Sequence, residues 1–206
     1  MTRSARILFL IVTLLVLSPA ARASVSFTVV LDGLVEESNA ACVVTPALAK
    51  SVWENGRIYT YTQVRVERTL AGTVSGAEVW VQTMGGTVGE IGQLVDGEAV
   101  LIPGKTSLLF LKAAPTTSSF GGYVVTARGQ GQFPVVTDAT THALKLMRNA
   151  HAGALLAPNP RTVARLRAAA PSVAASTLPA GDVLDGKSID DAAVELARAW
   201  SRTHAP

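Results

Sequence analysis

The segment SVWENGRIYTYTQVRVERTL, residues 51–70, carries the clearest fold signal in the chain. Asn55-Gly56 stands between two strand-like runs, and both central positions of a type I′ turn need a positive φ, which Asn and Gly tolerate. A two-residue turn at this point would place Glu54 opposite Arg57. The segment therefore predicts a β-hairpin.

The second arm of this hairpin alternates in the manner of a strand with one buried face. The first of its two faces carries aliphatic side chains and threonines, and the second carries tyrosines and longer polar groups. In order, the first face holds Ile58, Thr60, Thr62, Val64 and Val66, and the second holds Tyr59, Tyr61, Gln63, Arg65 and Glu67.

Five more strand-like segments follow, separated by glycine-containing turns. They are AEVWVQT (77–83), IGQLV (91–95), TSLLFLK (106–112), GYVVTA (122–127) and QFPVV (132–136). Seven short strands at this spacing predict a small antiparallel β-barrel, with a β-sandwich as the alternative. We assign residues 24–138 to this β domain, with a short helix expected in LDGLVEESNAA (31–41) despite Gly33.

Beyond Asp138 the composition becomes alanine-rich and favours helix. We predict a helical segment over residues 139–170, a linker over 171–186 and a C-terminal helix over 187–206. The first helix rests on the spacing of Leu144, Met147, His151 and Ala154. Asn159-Pro160 supplies a cap and first turn for a second helix, and Ser188 precedes a third. Its predicted docking stripe is Ile189, Ala193, Leu196 and Trp200.

The first 23 residues have the pattern of a secretory signal peptide. Arg3 and Arg6 precede an apolar run over residues 7–17, and Ala21-Arg22-Ala23 places small residues at the cleavage site. An eleven-residue run is too short to cross a ~30 Å hydrocarbon core. We therefore predict cleavage before Ser24, a secreted or periplasmic location, and no stable membrane anchor after cleavage.

The charge balance argues against a nucleic-acid-binding protein. The chain has 18 basic and 15 acidic residues, but three of the arginines belong to residues 1–23, which leaves 15 of each sign. A basic footprint of the kind that binds nucleic acid is therefore not predicted. Five basic residues between Lys145 and Arg167 have no acid among them; a solvated helix face is the main interpretation, and an acidic partner or membrane surface the alternative.

Two glycine-containing motifs resemble phosphate sites without satisfying their requirements. Gly104-Lys105-Thr106 ends like a P-loop, but the first glycine of that motif would fall on Ala99, and Pro103 removes a backbone donor. The motif is therefore interpreted as a turn. The glycines of MGGTVGEIG (84–92) lack dinucleotide-binding spacing and are interpreted as a tight loop. No cofactor is predicted.

The sequence also gives little support for a metal site or for a catalytic nucleophile. Three histidines, His142, His151 and His204, and one cysteine, Cys42, are too few and too scattered to predict a metal site. A single cysteine excludes an intramolecular disulfide, and its apolar neighbours favour a buried side chain. A nucleophilic pair of Cys42 with His142 or His151 stays open, because such partners meet in space and not in sequence. The sequence assigns no catalytic, cofactor-binding or metal-binding residue.

Four segments carry a family resemblance over roughly residues 40–136. They are ACVVTPALAKSVWENGRIYTYTQVRVERTLAG (41–72), GAEVWVQTMGG (76–86), LIPGKTSLLFL (101–111) and YVVTARGQGQF (123–133). In this order they resemble uncharacterised signal-peptide-bearing bacterial proteins and, more distantly, the OB-like barrel of the netrin-like module, which includes the tissue inhibitors of metalloproteinases. The resemblance implies a small OB-like barrel. Together with the helical prediction from composition, the expected fold is a mainly β, small OB-like antiparallel barrel followed by a helical C-terminal region.

The resemblance does not extend to the inhibitory residue. The metalloproteinase inhibitors begin with a cysteine that binds the protease zinc, whereas the first mature residue expected here is Ser24. The leading functional hypothesis is a secreted or periplasmic, non-enzymatic binding module, with another secreted protein as a possible partner. The alternatives are an exported hydrolase whose site is assembled in space, and an inhibitor or companion of a secreted protease.

Overall fold

The structure, a computed structural model, describes residues 25–116, 118–169 and 177–204. The predicted signal peptide and Ser24 lie outside these residues. The strands are β1 (Val25–Phe27), β2 (Ala40–Glu54), β3 (Arg57–Gly72), β4 (Glu78–Met84), β5 (Gly86–Val88), β6 (Ile91–Gln93), β7 (Ser107–Ala113), β8 (Tyr123–Val125), β9 (Gln132–Thr137), β10 (Leu144–Leu146) and β11 (Ala154–Leu156). The helices are α1 (Leu31–Glu36), α2 (Pro160–Ala169), α3 (Ala180–Leu184) and α4 (Ile189–Thr203), with a 3₁₀ helix at Arg128–Gly131.

The predicted hairpin is confirmed. Strands β2 and β3 are joined by Asn55 and Gly56, whose φ values of 49° and 77° are those of a type I′ turn. Glu54 pairs with Arg57 directly across the turn. Three register shifts along β2 bend the long strand, which lets its first half also pair with β7.

Five strands close into a barrel in the order β7, β2, β3, β4 and β8, with β8 pairing back to β7. Four of the five contacts are antiparallel, and β4 and β8 run parallel through Val81–Tyr123 and Gln82–Val124. The predicted mainly β, barrel-like fold is confirmed. The barrel is not antiparallel throughout, and the β-sandwich alternative is wrong because the sheet closes on itself.

The predicted helix through Leu144 and Ala154 is wrong. Strand β10 instead pairs with β9 at Leu144–Thr137 and Leu146–Val135, so the sheet continues past residue 138. Strand β11 pairs in parallel with β1. The pairing with β9 and the burial of Leu146 stabilise a strand here, and they outweigh the helical preference of the alanine-rich segment.

The predicted start of α2 is confirmed, because Asn159 Oδ1 accepts a hydrogen bond from the N–H of Arg161 at 3.0 Å. The predicted linker over residues 171–186 needs a correction, since α3 lies inside it and Pro179 pairs with Val30. Residues 170–176 lie outside the described part of the chain.

Helix α4 begins behind Ser188 as predicted, with Ser188 Oγ accepting from the N–H of Asp191 at 3.1 Å. Its docking face is also confirmed, centred on the fully buried Leu196. The deepest neighbours of Leu196 on this face are Ala192 and Ala199, so the face is rotated slightly from the predicted stripe. Small side chains at these two positions allow a close approach to the sheet.

Within the part of the chain that the structure describes, buried side chains form two apolar clusters, one inside the barrel and one outside it. The inner cluster comprises Ala40, Cys42, Val44, Val64, Val79, Val81, Ala99, Leu109, Leu111 and Val125. In the outer cluster, strand residues such as Phe110 and Phe133 pack beneath residues of α1, α3 and α4. The two sets of β7 side chains therefore alternate between barrel interior and helical layer.

Helices α1 and α4 are joined by a buried ion pair. Arg202 Nε and Nη2 donate to the two carboxylate oxygens of Asp32 at 2.9 and 2.6 Å, and Asp32 is only 1 % exposed. The bidentate geometry holds the two helices in one orientation. Within the described ranges no helix is both long and apolar enough to span a membrane.

Three members of the basic run meet carboxylates instead of forming one solvated helix face. Lys145 pairs with Asp138 at 2.8 Å, Arg165 with Glu36 at 2.6 Å, and Arg148 with Asp182. The sequence prediction that this run is a solvated helix face is therefore wrong for Lys145 and Arg148, which lie outside any helix.

Candidate ligand-binding cleft

A cleft of about 450 Å³ opens where one end of the barrel meets the turns that follow β2, β6 and β8. We call it the barrel-end cleft. Its lining mixes apolar and ionisable side chains; the ones used below are Glu54, Tyr59, Met84, Glu98, Val124 and Arg128. A volume of this size lies within the ~300–1,000 Å³ range of small-molecule sites.

The carboxylate of Glu54 is held at one side of the cleft by a buried tyrosine. Tyr61 is fully buried, and its hydroxyl donates to Glu54 Oε2 at 2.9 Å while accepting from Gln82 Nε2 at 3.0 Å. Burial raises the pKa of Tyr61, so this hydroxyl keeps its proton for Glu54. The other oxygen, Oε1, is buried and has no hydrogen-bond donor among the described residues.

The burial of Tyr61 corrects the predicted division of β3 into an apolar and a polar face. The segment between β7 and β8 folds over the tyrosine, where the Ser119 N–H donates to its hydroxyl at 3.2 Å. Phe120 lies 4.6 Å from the Tyr61 ring and 5.2 Å from the Trp80 ring, measured between centroids. This aromatic contact covers the outer surface of the barrel beside the cleft.

Glu98 is a buried carboxylate in the cleft wall, 8 % exposed. Its Oε1 accepts from the N–H of Ala99 at 3.1 Å, and the N–H of Met84 donates to the same carboxylate. Desolvation nevertheless raises the pKa of Glu98, against the weaker opposing effects of these N–H groups and the charge of Arg128. A perturbed acid in a cleft is a common property of functional sites.

Two consecutive non-glycine residues with left-handed backbone lie beside Glu98. Ala127 and Arg128 have φ values of 54° and 55°, which most L-residues avoid. Such a conformation costs roughly 1–3 kcal/mol per residue and persists only where surrounding contacts enforce it. The N–H of Gly129 supplies one of these contacts by donating to Gly97 O at 2.9 Å, which ties this turn to the Glu98 loop.

The buried side-chain amides of Gln132 and Asn149 form hydrogen bonds with the loop that carries Glu98 and with the turn that carries Arg128. Gln132 accepts from the N–H of Val100 at 2.9 Å and donates to its carbonyl at 2.7 Å, as a paired strand would. Asn149 Nδ2 donates to Gln132 Oε1 at 2.9 Å and to Gly129 O at 3.1 Å. These bonds fix the positions of the two turns that carry Glu98 and Arg128.

The features singled out in the sequence lie elsewhere. The N–H of Gly104 donates to Pro46 O at 2.8 Å and that of Lys105 to Ile102 O at 3.0 Å. The Lys105 N–H is thus used within the turn, as predicted, and the Gly104 N–H is used by a carbonyl of β2, so neither is free for a phosphate. The glycine-rich segment after Met84 forms the β5–β6 hairpin, a more regular structure than the predicted loop.

Cys42 lies inside the barrel with no exposed surface, and its Sγ contacts Thr69 Oγ1 at 3.6 Å. Burial raises the pKa of this thiol, which disfavours the reactive thiolate. The prediction of a small buried hydrophobe is confirmed. In the described part of the chain, no three His, Cys, Asp or Glu side chains form a group that could hold a metal ion.

Sequence reasoning missed both glutamates of the cleft. Glu54 was interpreted only as the cross-strand neighbour of Arg57, and Glu98 stood in a short turn, Asp96-Gly97-Glu98, with no motif around it. A charged residue beside a turn usually faces solvent, so the sequence carried no signal for the burial of Glu98.

Comparison with known protein families, curated proteins and solved structures finds no match for this chain. The resemblance to netrin-like modules therefore stays a prediction, and the cleft has to be interpreted from its own chemistry.

Proposed function

We propose that this chain is an exported, non-enzymatic binding module whose barrel-end cleft holds a small organic ligand. The observation that carries the proposal is the combination, in one cleft, of apolar walls with ionisable groups on a fixed frame. Apolar walls supply the affinity in such sites, and a few fixed polar groups supply orientation and specificity. The buried amides Gln132 and Asn149 provide that frame without ligand present.

The hydroxyl groups of the cleft favour binding over hydrolysis. Thr83 Oγ1, in the cleft wall, donates to the backbone carbonyl of Thr60 at 3.4 Å. The Tyr61 hydroxyl does face a carboxylate, that of Glu54, but Tyr61 is fully buried and does not line the cleft. A nucleophile needs a neighbouring base that takes its proton, and a backbone carbonyl cannot do this. Cys42, the chain's one thiol, is enclosed within the barrel.

The proposal is tested by NMR titration of the ¹⁵N-labelled mature protein with a library of uncharged and charged fragments. We expect shift changes on binding to concentrate at Thr83, Met84, Val124 and Val125, which line the cleft. Ala113→Trp should abolish them by filling the cleft, while Ala197→Trp, at an exposed position of α4, should leave them unchanged.

An absence of any binding fragment would contradict the proposed function. Binding that persists in Ala113→Trp would equally contradict it, because the ligand would then occupy another surface.

A further inference from the structure

The wall of the barrel-end cleft contains a side-chain amide that is almost entirely buried. Gln82 lies on β4, where it pairs with Tyr61 of β3 on one side and with Val124 of β8 on the other. Its neighbour Val81 belongs to the inner cluster, so the Gln82 side chain points away from the barrel interior. Gln82 is only 8 % exposed, and it is one of the residues that line the cleft.

Hydrogen bonds behind the cleft fix the orientation of this amide. The Tyr61 hydroxyl has one proton, which it donates to Glu54 Oε2 at 2.9 Å. The hydroxyl oxygen therefore accepts from Gln82, whose Nε2 lies 3.0 Å away. Because Nε2 is held by Tyr61, the carbonyl oxygen Oε1 of the amide has to point elsewhere. Glu54 thus acts on the cleft through Tyr61, without contact between its buried Oε1 and a ligand.

The carbonyl oxygen of Gln82 is an acceptor that the described chain leaves without a donor. No N–H or O–H group of residues 25–116, 118–169 and 177–204 donates to Gln82 Oε1, whereas Nε2 of the same amide is bonded. Over these ranges Glu54 Oε1 is the only unpartnered side-chain nitrogen or oxygen that is fully enclosed, so Gln82 Oε1 has accessible surface. Since the residue lines the cleft, a molecule in the cleft can donate to this oxygen.

The side chains around Gln82 are largely apolar. Met84 lies two residues further along β4 and therefore on the same side of the sheet, and Tyr59 pairs with Met84 from β3. Val124 is the direct neighbour of Gln82 on β8. All three line the cleft. They suit a hydrocarbon body that lies beside the group bonded to the amide.

The charges of the cleft disfavour an ionic head group at the amide. A carboxylate only accepts hydrogen bonds, so it cannot bond to the amide oxygen. An ammonium group could donate, but Lys112 and Arg128 line the same cleft and would repel it. The negative charges that would attract it are already engaged. Glu98 interacts with the charge of Arg128. Glu37 interacts with that of Arg165, which lies outside the cleft.

We infer that the ligand of the barrel-end cleft is an uncharged molecule with an O–H or amide N–H donor on an apolar body, and that Gln82 Oε1 accepts the hydrogen bond from this donor. The inference rests on the proposed function and names the chemical class of the ligand. Tyr61 and Glu54 are positioning residues, because they hold the amide in the orientation that presents its oxygen.

Four probes of similar length test the inference: 1-hexanol, its isomer 1-methoxypentane, n-hexylamine and hexanoate. The ether has the atoms of the alcohol but no O–H donor. NMR titrations of the mature protein at pH 7 should show 1-hexanol binding about 5-fold more tightly than the ether, the usual net effect of one hydrogen bond. Hexylamine and hexanoate should both bind more weakly than the alcohol.

Variants assign the acceptor. Gln82→Met keeps the length of the side chain and removes the carbonyl, so it should abolish the difference between alcohol and ether and leave the affinity for the ether unchanged. Gln63→Met is the matched control, because the Gln63 amide donates to Glu78 and does not line the cleft. It should preserve the difference. Tyr61→Phe should reduce the difference without changing the affinity for the ether.

A readout in the wild type keeps the inference testable if Gln82→Met fails to fold. The side-chain amide signals of Gln82 should shift when 1-hexanol binds, because its carbonyl then accepts a hydrogen bond, and should shift much less with the ether. Equal shifts with the two isomers would contradict the inference.

Failure of the inference is distinguishable from failure of the proposed function. If the ether, hexylamine or hexanoate binds as tightly as 1-hexanol, or if Gln82→Met weakens all probes equally, the assignment of an uncharged donor is overturned while the cleft remains a ligand site. The same holds if the fragment library yields cleft binders but 1-hexanol does not bind. If neither the library nor the probes bind, the proposed function itself is wrong.

Discussion

At the scale of single residues, Glu98 is the clearest case of a side chain whose position works against folding. Its carboxylate is buried in the cleft wall, where desolvation raises its pKa despite two backbone N–H donors and nearby Arg128. The folded protein therefore binds this proton more tightly than the unfolded chain does. Between the two pKa values the free energy of unfolding falls as the pH rises.

We expect Glu98→Gln to stabilise the protein at pH 7. The amide keeps the acceptor for the Ala99 N–H and removes the buried charge. At pH 3, more than one unit below the ordinary pKa of ~4.3 for glutamate, the carboxyl is largely protonated in both states, so the difference should shrink. Urea denaturation of both proteins at the two pH values measures this, with Glu90→Gln, at an exposed position in the turn between β5 and β6, as control. A lower midpoint for Glu98→Gln at pH 7 would show the opposite.

At the scale of elements, the β2–β3 hairpin depends on two turn residues with positive φ. An added Cβ at Gly56 would meet no heavy atom within 4 Å, while its φ is 77°. Glycine is therefore favoured at this position because of its positive φ, and not because a larger side chain would clash with a neighbour.

We predict that Gly56→Val destabilises the protein by more than ~1 kcal/mol, because a β-branched residue is strained at positive φ. Asn55→Gly preserves the turn conformation and is expected to have a smaller effect. Denaturant unfolding of the three proteins gives the comparison. An unchanged midpoint for Gly56→Val would mean that the turn does not control the hairpin.

At the scale of the whole molecule, the helices form the second layer that buries the outer face of β2 and β7. Leu196 of α4 lies at the centre of this layer and has no exposed surface, while Val194 on the same helix is 51 % exposed. Contacts of α4 with α1 and with the sheet therefore join the C-terminal helix to the barrel in one cooperative unit.

Leu196→Ala should lower the free energy of unfolding by ~2–5 kcal/mol, the usual cost of a cavity at a fully buried leucine. Val194→Ala, an exposed truncation on the same helix, should cost much less. Thermal and denaturant unfolding should each show a single transition for the wild type. Equal effects of the two substitutions would indicate that α4 is not docked.

The predicted removal of residues 1–23 belongs to the same scale and is checked by intact mass. We predict that the exported protein begins at Ser24, since Ala21-Arg22-Ala23 presents small residues to signal peptidase. A secreted or periplasmic form whose mass still includes residues 1–23 would refute cleavage at this site.

The parts of this fold that were predictable from sequence are those whose determinants are local. Asn55-Gly56 defines its turn by backbone chemistry, and Ser188 caps α4 through a bond three residues away. The parallel β4–β8 pair and the β9–β10 pair depend on residues far apart or on burial, and local preference pointed elsewhere at Leu144. The cleft escaped prediction because Glu54 and Glu98 are brought together only by barrel closure.

The Asp32–Arg202 pair has a consequence for how the chain acquires its structure during synthesis. Its two partners are 170 positions apart, so α1 can form this ion pair with α4 only after almost the whole chain has been synthesised. Until then Leu31 and Leu34 of α1 lack the cover that α4 provides. A topology dominated by such distant contacts folds slowly. If the chain is exported as we propose, that delay lengthens the interval in which it is still unfolded enough to pass through a translocation pore.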